Sequence, residues 1–496
     1  MELKVKFLKW SAGLPVAMLN KNTAEKIGVQ VKDRVSVKTI SKYPKGMFTL
    51  VNLVEQLVKE DEIAVSSEIR KRLSLRLGQK VDVNIAEAPN SLFFIKKKLD
   101  GKILSQKEVD EIIKDVVNNS LSEPEIALFV SAMYKQGMSM KESIYLINAI
   151  SKSGNSLKLN KKFVVDKHSI GGIPGNRTTP IVVSICAAAG LTIPKTSSKA
   201  ITSAAGTTDV METIMEVEFP MKELKKIIQK TNACMVWGGA LGMVPADSKI
   251  IKVEKMLKID PEAQLLASIM SKKLAVGSKY ILIDIPYGKN AKVSKLRALR
   301  LKLKFKFLGR HFHKNLKCVL TDGRQPIGNG VGPVLELIDI VKILDPKQQG
   351  PEDLKNKSLF LAGQLLEMTR KAKKKRGIEM AEEILNSGKA FEKFKEIVKA
   401  QKGSLNPLEQ KKNFKFKRDI LSKKSGKIFE IHNKKINSLA RIAGCPVDKY
   451  SGLYLHFHKG DKVKKGNKIL TIYSESKSRL RQAVGFYNKV KPIKVR

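Results

Sequence analysis

The residue types that invite chemistry gather in two glycine-rich turns. The first reads Asp166-Lys167-His168-Ser169-Ile170-Gly171-Gly172-Ile173-Pro174-Gly175-Asn176-Arg177-Thr178-Thr179. It follows a buried strand at 163–166 and precedes a helix predicted to start at Thr179-Pro180, with proline in its first turn. Free backbone N–H groups at such a helix start, together with the positive end of its dipole, attract an anion. Glycines let the backbone approach closely, Lys167 adds a point charge, and Ser169 and Thr179 add hydroxyl donors. No Gly-Lys-Ser/Thr follows, so this is not a nucleotide-hydrolysing P-loop. The second turn runs from Ser197 to Thr208 after a strand at 191–193, and half of its residues carry hydroxyls. Consecutive strand–turn–helix units bring such turns together at the carboxyl edge of a parallel sheet, where α/β folds bind ligands. Read jointly, the two turns form an oxyanion cradle.

Other candidates carry less. Asp260 opens Asp260-Pro261-Glu262, which reads equally as a helix N-cap with proline behind it or as an acid held for catalysis. His168 sits beside Lys167 and suits a hydrogen bond or a sugar contact as well as proton transfer. His311 and His313 have metal-like spacing without a third ligand, and His456 and His458 alternate on a predicted strand, so both fall on one face. Cys186, Cys234, Cys318 and Cys445 lie far apart with no CxxC pair. That argues for reduced thiols in a cytoplasmic protein, and no metal site is expected.

These residues must be positioned by several domains, since 496 residues exceed what one core sustains. Residues 1–86 read as a β-rich unit with a weak internal repeat: a short helix at 23–27 and another at 67–73 each lead through a turn into a strand. Residues 99–162 form a helical domain, with Ser105/Glu108, Ser122/Glu125 and Ser139/Glu142 as capping boxes. The helical stretch 245–275 returns to it. Residues 163–244 and 276–420 alternate strand and helix and make an α/β phosphate-binding domain. A C-terminal α+β domain, 421–496, completes a multidomain α/β chain.

With 42% hydrophobic and 28% charged residues, wholesale disorder is excluded. The apolar run 181–193, broken by Ser184 and Gly190, is too short to span a bilayer, the N-terminus reads as a strand, and no membrane partner is expected. The balance of 94 Lys and Arg against 47 Asp and Glu leaves +47. Such a surplus suits polyanions or phosphorylated small molecules, and residues 295–306 are especially basic. No RRM, KH or zinc-finger signature turns this into base readout, so non-specific nucleic-acid contact is the most it implies.

The run Lys167-His168-Ser169-Ile170-Gly171-Gly172, followed by Ser197 and Gly206-Thr207-Thr208-Asp209, resembles the signature of the thymidine phosphorylase superfamily. Ile193-Pro194-Lys195-Thr196-Ser197-Ser198-Lys199-Ala200-Ile201-Thr202-Ser203-Ala204-Ala205-Gly206-Thr207 is more similar to the archaeal AMP phosphorylase branch. Asp284-Ile285-Pro286, Gln325-Pro326-Ile327-Gly328 and Tyr454-Leu455-His456 extend the likeness over nearly the whole chain.

The resemblance implies a double-psi-like N-terminal barrel and a homodimer or larger homo-oligomer. It also implies a pentosyl transfer: AMP, and on the same chemistry CMP or UMP, reacts with inorganic phosphate as co-substrate and no cofactor. Lys167, Ser169, Thr179, Ser197 and Thr207 then hold the phosphate. Gly172, Ser198, Lys199, Ala200, Ile201, Thr202, Ser203, Thr207, Ser268 and Lys292 contact the nucleotide. Asp260 is the proton donor, and His168 and Lys272 are secondary. Catalysis is then expected to close the helical lobe, with Asp260 and Ser268, onto the phosphate lobe. The alternatives are a nucleoside phosphorylase indifferent to a 5′-phosphate and, in another class, a basic nucleic-acid-binding protein. No arginine stands at 253–255, where pyrimidine nucleoside phosphorylases read the base. Lys199 replaces the arginine usual in the nucleotide branch and lacks its planar fork.

Overall fold

The computed structural model describes residues 1–8, 15–200, 203–239, 241–405 and 414–496. By its contacts the chain forms two compact units: Met1–Ser153 with Pro245–Ser268, and Gly154–Val244 with Ile269–Arg496.

The first unit begins with six strands: β1 (Glu2–Phe7), β2 (Val16–Asn20), β3 (Arg34–Thr39), β4 (Gly46–Val54), β5 (Glu62–Val65) and β6 (Lys80–Ile85). They close into a barrel in the order β1-β5-β2-β4-β3-β6. Alternate apolar side chains such as Leu3, Val5, Val35, Val37, Val81 and Val83 fill its interior. The repeat read from the sequence is realised. Helices Lys21–Ile27 and Ser67–Leu73 both end in a left-handed residue, Gly28 (φ 81°) and Ser74 (φ 57°), before β3 and β6.

Helices Asn90–Leu99, Gln106–Asn118, Glu123–Gln136 and Met140–Lys152 follow. All three expected capping boxes form, so each serine and glutamate reciprocally satisfies a backbone donor. Helix Pro245–Leu257 packs on this bundle. Its Lys249 donates to the carbonyls of Val116 and Val117, both at 2.9 Å, and to Asn119 Oδ1. A cation thus caps the negative end of helix Gln106–Asn118.

The second unit is built on five parallel strands: β7 (Val165–Ser169), β8 (Ile193–Ser197), β9 (Ala233–Trp237), β10 (Tyr280–Tyr287) and β11 (Asn315–Asp322). Their spatial order is β11-β10-β7-β8-β9, the bridge Val164–Thr192 joining the two halves. Helix Thr178–Ala188 is buried all round, packed against helices Glu352–Met368 and Lys389–Ala400. It starts just before the expected Thr179-Pro180 position, with Arg177 as N-cap. The strand expected at 191–193 instead spans Ile193–Ser197, ending on the first residue of the second turn.

Helix Lys295–His311 carries two apolar faces. Ala298, Leu301, Phe305 and Leu308 pack inward, while Leu296, Leu299, Leu303 and Phe307 face solvent among the basic residues. The C-terminal segment adds short antiparallel strands and helices Asn433–Ala443 and Lys477–Val490 around a core of its own. Among the described residues no helix is long and apolar enough to cross a membrane.

Candidate active site

β7 and β10 are neighbours, yet the chain leaves β7 towards β8 and leaves β10 towards β11, on opposite sides. This reversal opens a crevice at the carboxyl ends of the strands, the usual ligand position in such sheets. Lys167 and Ser169 alternate onto one face of β7, Asp166 and His168 onto the other.

Lys167 is 1% exposed, and its Nζ donates to Thr178 Oγ1 at 2.6 Å and reaches Thr179 Oγ1 at 3.5 Å. Burial pushes this ammonium down to about 7; Asp284 on β10 opposes the shift. Asp284 is itself buried. It accepts from Thr321 Oγ1 at 2.6 Å and lies 3.1 Å from Lys357 Nζ, an ion pair whose angles are not those of a hydrogen bond. Ser169 Oγ accepts from Gly171 N and Asn176 Nδ2, both at 3.4 Å.

On the opposite face, Asp166 holds Lys195 Nζ at 3.1 Å and Lys273 Nζ at 2.6 Å. Burial raises the Asp166 pKa, but the two cations win and hold it below the usual carboxylate value. His168 is half-buried among the same cations. Burial first, then Lys273 and Lys195, push its pKa well below the ordinary imidazole value. This favours the neutral imidazole, which offers one N–H donor and one acceptor nitrogen for hydrogen bonding.

The second turn is shaped by two residues the sequence did not single out. Asp209 Oδ2 accepts from Ala200 N at 2.6 Å and Gly206 N at 2.7 Å, folding the turn back on itself. Arg177 reaches across from the first turn: Nη1 donates to Thr207 Oγ1 at 3.1 Å and Nη2 to Ala205 O at 2.8 Å. Its Nε pairs with buried Glu336 Oε2 at 2.5 Å. Ser197 Oγ and Thr208 Oγ1 are buried without a hydrogen-bond partner. Buried hydroxyls lacking partners are costly, and these two suit an anion accepted at the cradle.

Gly172 has φ +92°, and a Cβ there would lie 2.9 Å from Lys292 Cβ. Only glycine fits that approach, which places two of the predicted nucleotide residues side by side. Ser198, Lys199, Ala200 and Ser203 flank Ile201 and Thr202, which lie outside the described residues. Lys199 Nζ donates to Glu212 Oε1 at 2.9 Å and stands 4.9 Å from the Trp237 ring centre.

Asp260 and Ser268, both half-buried, belong to the first unit; the cradle and Lys272 belong to the second. The helix after Asp260 begins at Glu262, so Asp260 precedes Pro261 rather than standing directly at the cap. His456 and His458 are not on a strand, because Gly452–Leu455 ends before them; they bond to Thr471 Oγ1 (2.8 Å) and Asn329 Oδ1 (3.0 Å). Among the described residues no three His, Cys, Asp or Glu are grouped to hold a metal.

The AMP phosphorylases of Pyrococcus furiosus and Thermococcus kodakarensis are both 41% identical to this chain, over 499 and 501 residues. These alignments cover 99% and 100% of this chain and 97% and 98% of the relatives. The chain belongs to the AMP phosphorylase family. Within the chain, residues 93–154 match the model of the glycosyl transferase family, helical bundle domain. Residues 161–391 match the glycosyl transferase family, a/b domain, and 427–494 the pyrimidine nucleoside phosphorylase C-terminal domain. Among solved structures, anthranilate phosphoribosyltransferase from Thermus thermophilus superposes with a TM-score of 0.52 at 18% identity, covering 62% of the chain and 99% of that protein. The enzyme from Saccharomyces cerevisiae, at 16% identity, gives the same score. At such identity the likeness is of fold alone.

Proposed function

We propose that the chain catalyses phosphorolysis of nucleoside 5′-monophosphates, AMP first: AMP and phosphate give adenine and ribose 1,5-bisphosphate. What supports it is that the neighbouring strands β7 and β8 end at Ser169 and Ser197, that Arg177 of the first turn bonds Thr207 Oγ1 of the second at 3.1 Å, and that the Ser197 hydroxyl has no hydrogen-bond partner. In this reading Lys167, Ser169, Thr179, Ser197 and Thr207 hold inorganic phosphate with one oxygen facing the anomeric carbon. That oxygen forms the new C–O bond while the glycosidic C–N bond breaks, and its electron pair leaves with the base. Asp260 donates a proton to a ring nitrogen of the departing base, which lowers the barrier to its departure. Lys199 supplies charge for the 5′-phosphate, while Gly172, Lys292 and Ser268 contact the nucleotide. Relatives named AMP phosphorylase over the whole length support this choice of substrate. The same reading makes the barrel double-psi-like and the protein a cytoplasmic homo-oligomer of nucleotide breakdown.

The test is base release from AMP and from adenosine, each with and without phosphate. Adenine is expected only from AMP with phosphate present. Asp260→Asn should lower kcat by roughly 10²–10⁴, the usual contribution of a positioned acid. Equal turnover of adenosine would move the function to a nucleoside phosphorylase, and an unchanged Asp260→Asn rate would remove Asp260 as the donor.

A further inference from the structure

The nucleotide turn is fastened at two points to the C-terminal segment. Ala204 is 1% exposed, with its methyl in the core formed by Ile436, Leu439 and Ala440, and its N–H donates to Asn437 Oδ1 at 3.0 Å. Asn437 lies on helix Asn433–Ala443 and is 7% exposed. At the other end of the turn, Glu212 accepts from Lys199 Nζ through Oε1 at 2.9 Å and from Lys449 Nζ through Oε2 at 2.7 Å. One carboxylate thus links Lys199 to a lysine of the C-terminal segment. Neither tie is made to Lys167, Ser169, Thr179, Ser197 or Thr207, the residues read as holding phosphate.

We propose that Asn437 and Lys449 are positioning residues for the nucleotide: the C-terminal segment sets the placement of Lys199 and Ala204 and thereby affinity for the nucleoside monophosphate, independently of phosphate. The inference rests on the proposed function, because it takes that turn as the nucleotide-contacting one. The physics is entropic. A turn fastened at both ends meets its ligand already ordered, whereas a loosened turn must be ordered by the ligand at the expense of affinity. An amide that loses its buried acceptor also favours other conformations of the turn.

The experiment compares full-length wild type with Asn437→Leu, which is near in size but accepts nothing, and Asn437→Asp, which keeps an acceptor oxygen. Lys449→Met and Lys449→Arg form a second pair at a half-exposed position where folding is not at risk. AMP and phosphate KM, AMP affinity by calorimetry and thermal midpoint are read for each. Asn437→Leu should raise the AMP KM and Kd roughly tenfold, equivalent to about 1.4 kcal/mol, with phosphate KM unchanged and Asn437→Asp close to wild type. Lys449→Met should do the same to a smaller degree, reversed by Lys449→Arg. The proposal is overturned if the AMP and phosphate KM rise together, or if the midpoint falls while AMP affinity stays constant. A wild type that cleaves AMP alongside variants of equal AMP KM overturns this inference alone; one that neither binds nor cleaves AMP overturns the proposed function with it.

Discussion

If phosphate binds at Lys167 as proposed, the dryness of that ammonium makes binding a protonation event. In the unfolded chain a lysine titrates near 10.4, while burial brings Lys167 and Lys273 down to about 7. Between those values the unfolded state holds more protons, so these groups make stability rise with pH from about 7 upwards. A bound phosphate dianion reverses the effect on Lys167 by favouring its charged form. At about pH 8, phosphate binding should therefore take up a proton, seen as a dependence of the binding enthalpy on the buffer's ionisation enthalpy. Lys167→Met should abolish that dependence and weaken phosphate by roughly ten- to hundredfold, the range of a charge-assisted hydrogen bond. Absence of proton uptake by wild type would show that Lys167 is charged throughout. The types of these residues were legible because lysine, serine and threonine beside glycine announce an anion. Their partners were not: Glu336 lies 159 residues from Arg177, and 37 separate Thr321 from Asp284. Pairings over such distances follow from the sheet order, which no local pattern encodes.

Elements were readable where their signal is local. Ser105, Ser122 and Ser139 each find their glutamate three residues on, so all three caps were legible from the sequence alone. The box at Ser122 does more than cap, because Glu125 Oε2 also accepts from Arg34 Nη2 of the barrel at 2.6 Å. Ser122→Ala should cost about 1 kcal/mol in chemical denaturation, the typical worth of an N-cap. Glu125→Ala should cost more, since it also leaves a mostly buried arginine without its carboxylate. Equal losses would mean the Arg34 pair contributes nothing. β8 was misjudged for a physical reason. Lys195 and Thr196 are polar and fall outside the strand expected at 191–193, but Lys195 is buried against Asp166 from the neighbouring strand. Hydropathy cannot see a strand whose charge is neutralised from elsewhere. Edge strand β11 escaped similarly, with half-exposed and lysine-bearing positions that blur its alternation.

For the molecule as a whole, +47 on 496 residues is a self-repelling charge. Raising salt from low ionic strength to about 0.15 M shortens the screening length to about 8 Å. The thermal midpoint should therefore climb with salt, and more steeply with phosphate if it also binds the cradle as proposed. A midpoint indifferent to sodium chloride would mean that local ion pairs already neutralise the surplus. This expectation comes from composition, but charge by itself named no partner. The stretch 245–275 was expected to return to the helical domain; Pro245–Ser268 joins the first unit and Ile269 onward the second, which bears on how the protein is made. A ribosome releases the barrel and four helices, then the whole of Gly154–Val244, before helix Pro245–Leu257 emerges. Until then the carbonyls of Val116 and Val117 lack Lys249. The nascent first unit thus lacks Pro245–Ser268 while β7, β8 and β9 of the second are already being laid down.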